Sequence, residues 1–152
     1  MTDFAMLTNQ ISALLTGEHE PIANLANASA LLNSEINSLN WAGFYLFNTK
    51  SKQLDLGPFQ GNVACMHIPL GKGVCGIAAA TGEVQIVDDV TTFESYIACD
   101  SAAKSELVVP MYRQNGDLYG VLDLDSPVVA RFNKEFADGM IEFVKRLMKT
   151  ID

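Results

Sequence analysis

At 152 residues the chain has room for one domain with a core of ordinary size, on a scale of roughly 100–200 residues per domain. Hydrophobic residues make up 49% and charged residues 18%, too apolar a mixture for a disordered chain. Ten Lys and Arg stand against eighteen Asp and Glu, and the resulting net charge of −8 repels polyanions, which argues against nucleic acid and anionic membrane surfaces as partners. The opening Met1-Thr2-Asp3-Phe4 carries no basic leader region, and no apolar run approaches the roughly 18–20 residues of a membrane span, so a cytoplasmic location is expected. Three cysteines, an odd number, make no closed disulfide framework; in a reducing compartment they are free thiols, metal ligands or redox catalysts.

No repeat, low-complexity tract or long linker divides the chain, so residues 1–152 are expected to form a single domain. Phe4, Leu7, Ile11 and Leu14/Leu15 recur at spacings of three and four, which predicts an amphipathic first helix capped by Thr2 or Asp3 and ended by Gly17. Pro21 opens a second helix with Ile22, Leu25, Leu32 and Ile36 on one stripe. The period then changes to two. Trp41-Ala42-Gly43-Phe44-Tyr45-Leu46-Phe47 reads as a strand that places Trp41, Gly43 and Tyr45 on one face, and Gln53–Leu56 returns as a second strand. Gly57-Pro58-Phe59-Gln60-Gly61 is expected to be an irregular loop leading to Cys65. A short helix over Val74–Ala80 and a short strand over Val84–Val87 follow. The last helix carries Phe132, Phe136, Met140, Phe143 and Leu147. Helices flanking a central run of strands predict an α+β fold, a central antiparallel sheet between N- and C-terminal helices.

Glu106–Arg113 and Asp117–Asp125 are separated by Gln114-Asn115-Gly116, and Asn-Gly is the strongest short hairpin signal. A two-residue Asn115-Gly116 loop pairs Gln114 with Asp117, Glu106 with Asp125 and Val108 with Asp123. Glu106, Asp123 and Asp125 then share one face, while Leu118, Leu122 and Leu124 occupy the face packed on helices. Like charges directly opposite in a sheet are destabilising, so three acids on one face point to a binding or catalytic role rather than to ordinary surface composition. Pro110 cannot donate to the ladder and marks an edge or bulge, and a one-residue slip would scatter the trio.

Cys65, His67, Cys75 and Cys99 invite a zinc reading, but the gaps are irregular and no C-x-x-C knuckle supplies two ligands from one turn. Cys75, among Ala and Ile, reads equally well as a buried small hydrophobe. Cys65 sits where Gly57, Pro58 and Gly61 give the chain freedom. Cys99 precedes Asp100-Ser101, where a helical turn that would lower its pKa is expected. His67 reads as a structural histidine. Aromatics in strands usually pack, which suits both Trp41 and Tyr45, but Trp41, sharing a face with Gly43, is expected to line a cavity. Gly71-Lys72-Gly73 lacks the rest of a phosphate-binding loop and reads as a turn.

Four segments together resemble the free methionine-(R)-sulfoxide reductases, which are built on a GAF domain. These are Leu56–Gly61 leading to Cys65, Gly71–Gly76, Ile97–Asp100 with Ser105-Glu106, and Leu122–Ser126. The resemblance implies a single GAF-like domain, with Cys99 in Ile-Ala-Cys-Asp as the catalytic cysteine. It implies Cys65 as a resolving cysteine and Cys75 as a third that pairs with the catalytic one in some members. Glu106, Asp123 and Asp125 match substrate-binding and catalytic carboxylates, and Trp41 and Tyr45 match aromatics lining the substrate pocket. The implied partners are free methionine-(R)-sulfoxide and a thioredoxin-type reductant, with a homodimer compatible with the family; no metal or organic cofactor is required. The competing reading is a non-catalytic GAF module that binds a small molecule or senses redox state through its thiols.

Overall fold

The stripes of period 3.6 near the two ends of the chain become helices in the computed structural model, which describes residues 1–152. Helix α1 (Phe4–Leu14) begins where Asp3 accepts a hydrogen bond from the Met6 N–H at 3.0 Å, and it buries Leu7 and Ile11, with Leu15 just past its end. Helix α2 (Pro21–Glu35) buries Leu25, Ala28, Ser29 and Leu32. Ile22 departs from the expected stripe: it stands in the first turn of α2, where little packs over it, and is 75% exposed. Short helix α3 (Gly73–Thr81) lies mid-chain, and α4 (Lys134–Ile151), capped by Asn133, buries Phe136, Met140, Phe143 and Leu147. No helix is long and apolar enough to cross a membrane.

Six strands, β1 (Trp41–Asn48), β2 (Gln53–Gly61), β3 (His67–Pro69), β4 (Gln85–Val87), β5 (Ser105–Tyr112) and β6 (Leu118–Ser126), form one antiparallel sheet in the order β3-β2-β1-β6-β5-β4. Side chains alternate across it. Ala42, Phe44, Leu107, Val109, Met111, Leu122 and Leu124 turn to α1, α2 and α4 and form the larger core. Trp41, Tyr45, Val108 and Val121 turn the other way, toward α3 with its Val74, Cys75 and Ala78.

Two local expectations are corrected. Residues 57–61 are the second half of β2 and not a loop. Pro58 is tolerated there because β3 pairs only with residues 53–55, so this stretch is an edge, and because the register against β1 shifts between Gly43 and Tyr45. The hairpin loop has three residues, Gln114–Gly116. Arg113 N–H bonds Asp117 O at 2.8 Å, Gly116 N–H bonds back to Arg113 O at 3.0 Å, and Gly116 takes the positive φ of 93° that closes such a turn.

The longer loop sets the pairing off by one, so that Tyr112 faces Leu118; an extra residue, Tyr119, then restores the register, and Met111 faces Gly120. From Met111 to Ser105 the ladder is the expected one. The bulge also sends Leu118 to the α3 side and Tyr119 to the larger core, so Leu118 does not share a face with Leu122 and Leu124. Pro110 sits where β4, paired only to residues 106–108, leaves β5 uncovered.

Candidate active site

The face of the sheet turned to α3 brings together the residues singled out above. Glu106 on β5 lies opposite Asp125 on β6, and Val108 opposite Asp123; on the other flank of β6, Trp41 faces Asp125 and Gly43 faces Asp123. Trp41, Tyr45, Cys75, Cys99, Glu106, Asp123 and Asp125 all line one cavity. Cys65 enters from the loop after β2 and is joined to Cys99 by a disulfide, with Cα atoms 5.3 Å apart.

The three acids are buried, with 6%, 5% and 8% of Glu106, Asp123 and Asp125 exposed. None takes part in a salt bridge, and Asp123 Oδ1 and Asp125 Oδ1 have no hydrogen-bond partner. Burial first, then the neighbouring carboxylates, pushes Glu106 and Asp125 well above the ordinary range; burial also raises Asp123. Such a cluster keeps protons that isolated carboxyls would lose, and it presents unpaired acceptors to whatever cation or donor enters. Cys75 Sγ lies 3.9 Å from Glu106 Oε2, and burial together with Asp123 and Glu106 keeps it a thiol. Cys75, Glu106 and Asp123 are also the set able to hold a metal ion, their ligand atoms lying within 4.8 Å of one another. A thiol with two carboxylates suits zinc better than calcium or magnesium. The earlier zinc set does not assemble: Cys65 and Cys99 are bonded to each other, and the exposed His67 places Nδ1 2.7 Å from Asp55 Oδ1.

The uncompensated trio has a cost that pH controls. For acids raised on folding, the native state binds protons more tightly than the unfolded chain, so stability is fully present below the unfolded pKa near 4 and is lost as pH climbs toward the raised values. Asp125→Asn removes one of the charges and leaves the shape. Thermal melts across pH are expected to show the parent losing stability from acidic to neutral pH more steeply than this variant, whose melting temperature at neutral pH is the higher.

Cys99 does not stand at a helix start as expected. Its segment is an irregular connection in which Ala102 N–H bonds Asp100 Oδ1 at 3.0 Å and Ala103 N–H bonds Asp100 O at 3.2 Å, a turn built on an aspartate. Asn40 Nδ2 donates to Asp100 Oδ2 at 3.0 Å, and Gly73 N–H donates to Ser95 O at 3.0 Å, so the connection is pinned to the residue preceding β1 and to the start of α3.

The aromatic wall is a stack of three rings. Trp41 lies between Tyr45 and Phe59, with centroids at 5.8 and 5.0 Å. The room above Gly43 is filled by Phe59 and Trp41, and a Cβ there would collide with both. Trp41 Nε1 donates to Asn62 O at 3.1 Å and Tyr45 Oη to Cys65 O at 2.9 Å. Phe59, Asn40, Asp100 and Tyr96, which also lines the cavity, are the site residues that sequence reasoning missed.

The GAF domain family matches residues 27–152. The chain is 46% identical to the free methionine-R-sulfoxide reductase of Escherichia coli over 97% of its own length and 88% of that protein. Its fold superimposes with a TM-score of 0.94 on fRMsr of Staphylococcus aureus in a reduced form, at 43% identity over 100% of this chain and 97% of that one. It matches the free methionine-R-sulfoxide reductase of Neisseria meningitidis, solved in complex with its substrate, with a TM-score of 0.93 at 41% identity, covering 97% of this chain and 87% of that one.

Proposed function

Because the chain belongs to the free methionine-R-sulfoxide reductase family of GAF-domain oxidoreductases, we propose that it reduces free L-methionine-(R)-sulfoxide to methionine with Cys99 as the nucleophile. The observation that carries the mechanism is one cavity in which Cys99, paired with Cys65 so that the two can cycle between thiols and a disulfide, meets three buried, proton-retaining carboxyls.

Cys99 sulfur attacks the sulfoxide sulfur while a carboxyl of the trio protonates the oxygen. The protonated oxygen then passes from the substrate sulfur to the Cys99 sulfur as the new S–S bond breaks and leaves its electron pair on the substrate sulfur, so methionine departs and Cys99 is left as a sulfenic acid. The Cys65 thiol then attacks that sulfur and expels water, forming the Cys65–Cys99 disulfide. The two electrons lost by the thiols are those gained by the substrate sulfur. A thioredoxin-type dithiol reopens the disulfide by exchange, as a reducing cytoplasm allows. The charged members of the trio receive the substrate ammonium group, and Trp41 and Tyr45 flank its methyl end. A peptide-bound methionine sulfoxide lacks that free ammonium group.

Reduced protein supplied with dithiothreitol is expected to convert free methionine-R-sulfoxide to methionine over many turnovers and to leave the S epimer untouched. No methionine from the R epimer, or equal rates on both, contradicts the reading.

A further inference from the structure

Two side chains described as pocket walls also hold the segment that carries Cys65. Residues 62–65 leave β2 without regular structure, and their only hydrogen bonds are the two from Trp41 Nε1 to Asn62 O at 3.1 Å and from Tyr45 Oη to Cys65 O at 2.9 Å. Both donors come from the same face of β1, at the middle of the sheet, and both are almost wholly buried, 2% exposed each. The acceptors are the first and last carbonyls of the segment. Between them Val63 is 87% exposed and packs on little. Ala64 and Cys65 pack against the smaller core and Cys65 is bonded to Cys99, so once that disulfide opens the segment keeps this packing and the two hydrogen bonds to β1.

We propose that the Tyr45 hydroxyl, seconded by the Trp41 indole, is a positioning group for disulfide closure, holding the Cys65 backbone so that its thiol is presented to the oxidised Cys99. This rests on the assignment of Cys65 as the resolving thiol. The hydroxyl grips the carbonyl of Cys65 and leaves the sulfur free to react. Burial and the Asp123 carboxylate push the Tyr45 phenol far above its ordinary value, so it remains a donor at any working pH. Closure, in which Cys99–SOH and Cys65–SH become a disulfide and water, is an intramolecular encounter. Its rate follows the fraction of time that the thiol spends within reach. Losing one hydrogen bond from a segment held by two reduces that fraction by about five- to tenfold.

Tyr45→Phe removes the hydroxyl and keeps the ring. Rapid-quench experiments on reduced protein with one equivalent of free methionine-R-sulfoxide and no external reductant give two rates: methionine release, and conversion of the dimedone-reactive Cys99 sulfenic acid to disulfide. The ratio of closure to release is expected to fall about five- to tenfold in Tyr45→Phe, and to fall in Trp41→Phe, which loses the indole donor and keeps an aromatic ring in the stack. A general loss of packing would slow both rates together and leave the ratio at the parent value, which overturns the proposal; the Trp41 variant decides the matter if the Tyr45 variant does not fold. Cys65→Ser separates the underlying assignment. If it closes a disulfide as fast as the parent, Cys65 is not the resolving thiol; if closure stops there while both aromatic variants keep the parent ratio, only the positioning role fails.

Discussion

Cys99→Ser is expected to abolish turnover, lowering methionine formation by about 10³-fold or more, because a serine hydroxyl near neutral pH is a far weaker nucleophile than a thiol. The site offers no good substitute. Cys75 also lines the cavity, but burial and two carboxylates hold its proton, which makes it a poor attacking group. Cys65 hangs on a loop whose segment is tied by its carbonyl, outside the cavity lining. Chromatographic measurement of methionine formed per chain, with the fold checked by thermal melt, tests the assignment. Residual activity within about tenfold of the parent would move the nucleophile elsewhere.

Glu106→Gln is expected to lower the single-turnover rate by about 10²-fold, the lower end of what a positioned general acid contributes. Burial and the charges of Asp123 and Asp125 raise the Glu106 carboxyl well above the ordinary range, so in the parent the trio still holds a proton where a surface glutamate would have lost it. The acid must be protonated to act. The rate should therefore fall as pH rises through the raised titration of the cluster. Removing one carboxyl relieves the repulsion on the other two, so the alkaline limb in Glu106→Gln shifts to lower pH, because coupled carboxyls titrate as a group. Single-turnover rates from pH 5 to 9 for Glu106→Gln, Asp123→Asn and Asp125→Asn provide the check. Three profiles superimposing on the parent would reduce the trio to a structural feature.

The acidic face was legible because a hairpin register, once pinned by Asn-Gly, assigns every side chain to a face, and like charges stand out on a strand that is otherwise Val and Leu. The pairing of Glu106 with Asp125 held although the loop contains three residues, because the extra residue at Tyr119 cancels the extra residue in the turn. Only Leu118, inside the compensated stretch, changed face. Two offsetting irregularities of this kind leave no trace in a pattern of period two.

Phe59 was hidden for a related reason. Gly57-Pro58 signals a loop in most contexts, and only the short reach of β3 makes this stretch an edge where proline is tolerated. Tyr96 and Asp100 lie in an irregular connection with no period to read; their place in the site depends on Asn40 and Gly73, which are distant in sequence. The expected helix at Cys99 is an aspartate-based turn, since Asp100 serves both chemistries equally well. The pairing of Cys65 with Cys99 came from family resemblance alone, as three irregularly spaced cysteines allow any pair.

The central claim, that two electrons pass from the thiols of this chain to a sulfoxide, is tested most directly by stoichiometry. Fully reduced protein is mixed with one equivalent of free methionine-R-sulfoxide and no other reductant, then quenched, alkylated, digested and examined by mass spectrometry beside a methionine assay. One methionine per chain, loss of two thiols and a peptide linking Cys65 to Cys99, with Cys75 alkylated, is the predicted result. Methionine formed while all three cysteines remain alkylatable, or no methionine at all, would contradict the account.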